Sequence, residues 1–168
     1  TAPGFTTANA EQRVWQAVYQ MTGLSLTGTP LSIDDPFYVS IGTPISPVGT
    51  SIWSGDGRRA GATPLIASIV TGTPATARLI PLSGTPVDST VVQILPGLTN
   101  SPTTVAAGGV ALRYLAGGTT VVRATIPGAG IRALAGATAT VTVSTTAITL
   151  STDYIGSGLQ RSRSVSIG

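Results

Sequence analysis

Apolar and polar positions alternate along most of this chain, and one stretch near its start departs from that period. Over 9–23, Val14, Val18 and Met21 recur at helical spacing. Trp15 and Ala17 widen the stripe, and Gln12, Arg13, Gln16 and Gln20 fill the opposite side. Asn9 can cap the amino end, and Gln12 completes a variant of the capping box. Glu11 suits the positive end of the helix dipole, and Gly23 suits the left-handed position after a last turn. The pattern predicts a short N-terminal helix over 9–23, behind a flexible lead-in over 1–8. An apolar stripe usually faces the core of its own domain. The Trp15 and Tyr19 pair is also a candidate anchor on a neighbouring subunit, because buried aromatics dominate interface energies.

Everything after the helix reads as strand and turn. Phe37, Val39 and Ile41 share one face of a strand over 37–41, and further short strands are expected over 65–70, 77–82 and 87–95. Gly-Thr-Pro recurs at 28–30, 42–44, 72–74 and 84–86, with Ala62-Thr63-Pro64 as a near copy. Gly permits positive φ, a residue before Pro is pushed to extended backbone, and Pro cannot donate to a ladder. Each copy is expected to end one strand and start the next, at spacings too irregular for a solenoid repeat. Asp56-Gly57, between Trp53 and Arg58-Arg59, predicts a hairpin tip. Gly117-Gly118 predicts a second hairpin, with Tyr114 opposite Val121 and Arg113 opposite Val122. The small residues over 100–109 read as an exposed loop or boundary. Later, Ala139, Val141 and Val143 fall on one face and Thr138, Thr140 and Thr142 on the other, and a further strand is expected over 147–151.

The chain closes on a second clean alternation. Leu159, Arg161, Arg163, Val165 and Ile167 alternate with Gln160, Ser162, Ser164 and Ser166. This is either a last strand of the domain or an arm that adds a strand to a neighbour's sheet. The whole pattern predicts an all-β fold: a β-sandwich or barrel of about ten short strands with one short N-terminal helix. The body spans 24–156, and a C-terminal strand or arm covers 157–168.

Composition changes the picture in one respect. Charged residues make up 9% of the 168, against roughly 25% in ordinary soluble domains. All nine basic residues are Arg, and there is no His and no Cys. The apolar content argues against disorder, and no apolar run approaches the ~18 residues of a membrane span. A low-charge surface fits coverage by other subunits, since interface cores are depleted in charge. A neutral Ser/Thr/Gly surface on a secreted module is the alternative. The net charge of +3 is spread along the chain, with no run longer than Arg58-Arg59, whereas electrostatic binding of nucleic acid wants a clustered patch. Thr1 is a small residue, as left by removal of an initiator Met or of a cleaved signal.

Candidate chemistry is sparse. Without His, Cys or Lys, no Ser-His-Asp or Cys-His arrangement, Schiff-base lysine, ordinary zinc site or Walker loop can be built. No catalytic residue, cofactor or metal is therefore expected. Of the carboxylates Glu11, Asp34, Asp35, Asp56, Asp88 and Asp153, the adjacent Asp34 and Asp35 before Pro36 read as turn formers. The dinucleotide-like text at 128–133 lacks the helix that must follow it. Arg132, Arg161 and Arg163 are candidates for ion pairs across subunits. Trp53, Tyr38 and Tyr114 are candidates for stacking on sugar.

Few charges, no Cys, abundant Thr, Gly and Ala, the Gly-Thr-Pro corners and the alternating C-terminus together resemble virion structural proteins of tailed bacteriophages. Small capsid decoration (cement) proteins and head-fibre or tail components are the particular likeness. The resemblance is one of texture over the whole chain, with no motif matched residue by residue. It implies a non-enzymatic subunit of a viral particle, assembled in the host cytoplasm. Such a subunit would bind itself, as a trimer or another symmetric oligomer, and the major capsid or other virion proteins, with no nucleic acid or membrane partner. A tail or head–tail component, or a secreted carbohydrate-binding or adhesin sandwich, is the alternative. Trp15, Tyr19, Leu159, Arg161, Arg163, Val165 and Ile167 are the expected interface residues.

Overall fold

The structure is a computed structural model that describes residues 14–128, 130–145 and 157–158. Eleven strands run in chain order: β1 (Val18–Thr22), β2 (Thr27–Gly28), β3 (Asp35–Pro44), β4 (Ile52–Ser54), β5 (Leu65–Thr71), β6 (Ala77–Ile80), β7 (Ser89–Ile94), β8 (Val110–Tyr114), β9 (Gly118–Thr125), β10 (Arg132–Ala133) and β11 (Thr138–Val143). They form two sheets, β10-β1-β3-β8-β6 with β4 attached to β3, and β2-β11-β9-β5-β7. All pairings are antiparallel except β1 with β10 and β2 with β11. The lead-in over 1–8, the strand expected over 147–151 and most of the strand or arm over 157–168 lie outside the described residues.

Period-two alternation explains the core between the sheets. Phe37, Val39 and Ile41 of β3 and Val110, Leu112 and Tyr114 of β8 meet Leu65, Ala67 and Ile69 of β5 and Val122 and Ala124 of β9. Val141 and Val143 are buried while Thr138, Thr140 and Thr142 face outward, as the pattern predicts. Burying a Val, Leu, Ile or Phe side chain stabilises the fold by roughly 1.5–3 kcal/mol each.

The N-terminal helix is not found in the described part of 9–23. Residues 14–17 carry no helical turn, Val18–Thr22 is strand, and 9–13 lie outside the described residues. Val18, Tyr19 and Thr22 are β-branched or aromatic and suit a pleated surface. Five ladder positions on β3 then outweigh a weak local helix preference. In the strand, Tyr19 and Met21 point into the core, and Val18 is fully buried on the other face, between Gly42 and Arg132.

Both predicted hairpins are also rearranged. β8 pairs with β3 and β6, whereas β9 pairs with β11 and β5, so the chain crosses between the sheets at Gly117-Gly118. Each strand has one strongly apolar face, and opposing sheets bury both. The crossing is fixed by Leu115 N–H and Ala116 N–H, which donate to Thr76 O at 2.8 and 3.3 Å. The other hairpin forms between β3 and β4, with Ile45 N–H donating to Ser51 O at 3.2 Å, and Asp56-Gly57 continues beyond it. Here Gly42-Thr43-Pro44 does not break the strand. It closes β3, with a register shift against β4.

The 100–109 loop is exposed over Thr103, Thr104, Ala106 and Ala107, and its start is tied to the core. Ser101 N–H donates to Val39 O at 2.9 Å, and Ser101 Oγ accepts from Val39 N–H at 3.0 Å, which joins the loop's start to β3 in the core.

Candidate functional site

The strand β3 spans ten residues, so its two ends lie roughly 30 Å apart. Each end carries a loop with exposed apolar side chains. Leu31 and Ile33 stand before β3, at 70% and 88% exposure; Val48 and Trp53 follow it, at 84% and 74%. These side chains give up water contact most readily when covered.

A polar cluster holds the first loop. Arg113 of β8 donates to Asp34 from Nε at 2.8 Å and from a terminal nitrogen at 2.6 Å, a two-pronged ion pair. The bond from Arg113 holds the Asp34 carboxyl below the usual carboxylate range. Next to it, Asp35 accepts from Ser25 N–H at 2.7 Å and from the Tyr114 hydroxyl at 3.2 Å. Burial first, and the Asp35 charge second, push the Tyr114 hydroxyl up to about 12. The Tyr114 ring lies against Gly28, where a Cβ would come within 2.6 Å of it, so only glycine admits the ring there. A shallow cleft of about 210 Å³ runs over this cluster between Ser25, Ile33 and Tyr114. Its ionisable groups pair as Asp34 with Arg113 and Asp35 with Tyr114. The cluster anchors the chain where it passes from the exposed Leu31 and Ile33 into β3.

The other end is held by side chains and backbone together. Asp56 accepts from the hydroxyls of Thr43 and Ser54. Gly97 N–H donates to Arg58 O at 2.7 Å, and Arg132 donates to Gly49 O at 2.9 Å. Arg132, expected to pair across subunits, thus binds a carbonyl of its own chain. The loop carries Ile45, Val48 and Trp53 outward as an apolar ridge.

The other expected residues divide. Tyr19 is 5% exposed and lies in the core, so it cannot anchor a partner; its place on a strand turns it inward. Trp15 is half-buried ahead of β1. Leu159, Arg161, Arg163, Val165 and Ile167 lie outside the described residues. Of the sugar-stacking candidates, Trp53 is exposed, Tyr38 is half-buried and Tyr114 is buried. Asp34 and Asp35 do more than turn the chain, and their partners Arg113 and Tyr114 lie 79 residues away, where no local pattern points to them. Among the described residues no cluster of three or more His, Cys, Asp or Glu could hold a metal, and no helix is long and apolar enough to cross a membrane.

Comparison with family models, curated proteins and solved structures returns no match in any of the three.

Proposed function

We propose that this protein is a non-enzymatic structural subunit of a larger particle, binding copies of itself and neighbouring subunits through its low-charge surface. A phage capsid decoration protein is the specific form of this reading, and a tail or head–tail component is its nearest variant. The observation that carries it is the exposure of Leu31, Ile33, Val48 and Trp53 at both ends of β3, on a chain with only 9% charged residues. Large exposed apolar side chains grouped in this way mark surfaces that a partner covers. Placing them at opposite ends suits a subunit that links two neighbours.

Native mass by sedimentation across a concentration series tests the reading. A defined oligomer is the expected result, and a single monomeric species up to high concentration counts against it. Trp53, at 74% exposure, favours a second reading as a carbohydrate-binding sandwich, since a flat aromatic can stack on a sugar ring. Glycan binding that is lost in Trp53→Ala would establish that alternative.

A further inference from the structure

We propose that two copies of this chain pair antiparallel along the outward edge of β7, about a two-fold axis through Val91, to join their five-stranded sheets into one. This names one self-contact within the structural-subunit reading and rests on it. The backbone register places the axis. Thr71 N–H donates to Asp88 O at 2.9 Å, and the ladder then continues without a shift from Val70 opposite Ser89 to Leu65 opposite Ile94. In an antiparallel pair, the hydrogen-bonding groups of successive residues point to alternate sides. Thr90, Val92 and Ile94 therefore bond to β5, and Ser89, Val91 and Gln93 aim their N–H and C=O groups the other way.

At the start of that outward edge the groups are taken. Val87 and Leu79 exchange two backbone bonds of 2.9 Å, which ties β7 to β6. Beyond Val87, the outward groups of Ser89, Val91 and Gln93 have no backbone partner among the described residues, and Val91 is 58% exposed. The two sheet ends at β2 and β10 are strands of only two residues, too short to template a partner.

Edges left open in this way usually carry a charge, a proline or a bulge that repels a second strand. Ser-Thr-Val-Val-Gln-Ile carries none of these. A second copy is the occupant that matches. The outward residues are centred on Val91, so a two-fold register sets Val91 opposite Val91 and Ser89 opposite Gln93. Every outward N–H then meets a C=O, and all directly opposed side chains lie on the same face. With no charge on the strand, no like pair opposes itself. An apolar groove of about 460 Å³ runs beside this edge, between Leu82 and Leu95, and gives the incoming strand a surface to cover.

The test uses the absence of natural cysteine. Residues opposed in a hydrogen-bonded pair have Cα atoms ~5.5 Å apart, within the roughly 4.4–6.8 Å of a disulfide. The full chain with Val91→Cys should form a covalent dimer on mild oxidation, and Thr140→Cys on the distant β11 should not. Val91→Pro removes the outward donor without touching the β5 ladder, and Val91→Glu sets two carboxylates together on the axis. Each should weaken association about tenfold or more, with an unchanged far-ultraviolet spectrum, while Val91→Thr should associate as the parent does. Oligomers that persist in both weakened variants, with no covalent dimer from Val91→Cys, overturn the edge pairing and leave the subunit reading standing. A parent chain that stays monomeric overturns both.

Discussion

The two ends of β3 hold their exposed apolar loops by different means. Before β3, the holding groups are ionisable side chains, with Asp34 on Arg113 and Asp35 on Tyr114. After it, backbone bonds act together with the Asp56 carboxylate, the Arg132 guanidinium and a close approach where Gly42 faces the Ser54 carbonyl and the Ile52 side chain. The first end therefore contains two groups with shifted titration, Asp34 and Tyr114, and the second a backbone approach at Gly42 that no side-chain rotation relieves. In a chain with so few charges, the ion pair of Arg113 with Asp34 anchors the chain just after the exposed Leu31 and Ile33.

Gly42 offers the strongest perturbation of the second end. A Cβ there meets the Ser54 backbone, which cannot rotate away, and the methyl of Ile52 at 2.7 Å. Gly42→Ala should cost about 1–3 kcal/mol, the range for overpacking a tight site. Denaturant titration measures the loss, and amide exchange should quicken over 45–54 while 29–35 keeps its protection. Equal loosening of both ends would mean that they form one cooperative unit.

Tyr114→Phe probes the opposite end with a smaller effect. It removes the hydroxyl that donates to Asp35, at a cost of about 0.5–1.5 kcal/mol. The sign of the pH dependence follows from the direction of the shift. The folded hydroxyl ionises at about 12 against an ordinary value of 10.0. The stabilisation is therefore complete below pH 10.0 and is lost as pH rises toward 12. Asp34 runs the other way: its folded value is lowered, so its contribution holds above its ordinary value of 3.8 and is lost as pH falls through the lowered value. Stability measured across alkaline pH should lose the Tyr114 component in Tyr114→Phe, and across acid pH the Asp34 component in Asp34→Asn. Unchanged profiles would show that these pairs do not hold the loop.

The smallest effect on stability should come from the exposed tips. Ile33→Ser and Trp53→Ala should each lie within about 0.5 kcal/mol of the parent, as exposed substitutions usually do. Both should nevertheless weaken binding to other subunits. Unaltered assembly of the double variant would show that neither end is a contact surface.

Alternation of apolar and polar residues settles which face of most strands is buried. Phe37, Val39 and Ile41, or Val141 against Thr140 and Thr142, have only two faces to choose from, and an apolar side chain in water settles the choice. The lack of His, Cys and Lys likewise determined which catalytic arrangements cannot be built. Partnership between strands was decided only in three dimensions. The apolar face of 110–114 says that something must cover it, but not whether the covering strand lies beside it, as a Gly-Gly hairpin would have it, or across the sandwich, as β9 does. The 14–22 segment is ambiguous for the same reason: Val18 and Met21 fit one face of a helix as readily as two faces of a strand. Pairing with β3 resolved that choice and turned Tyr19 inward. The meeting of Asp34 with Arg113 and of Asp35 with Tyr114 was beyond local reach, because a contact across 79 residues depends on where whole sheets come together.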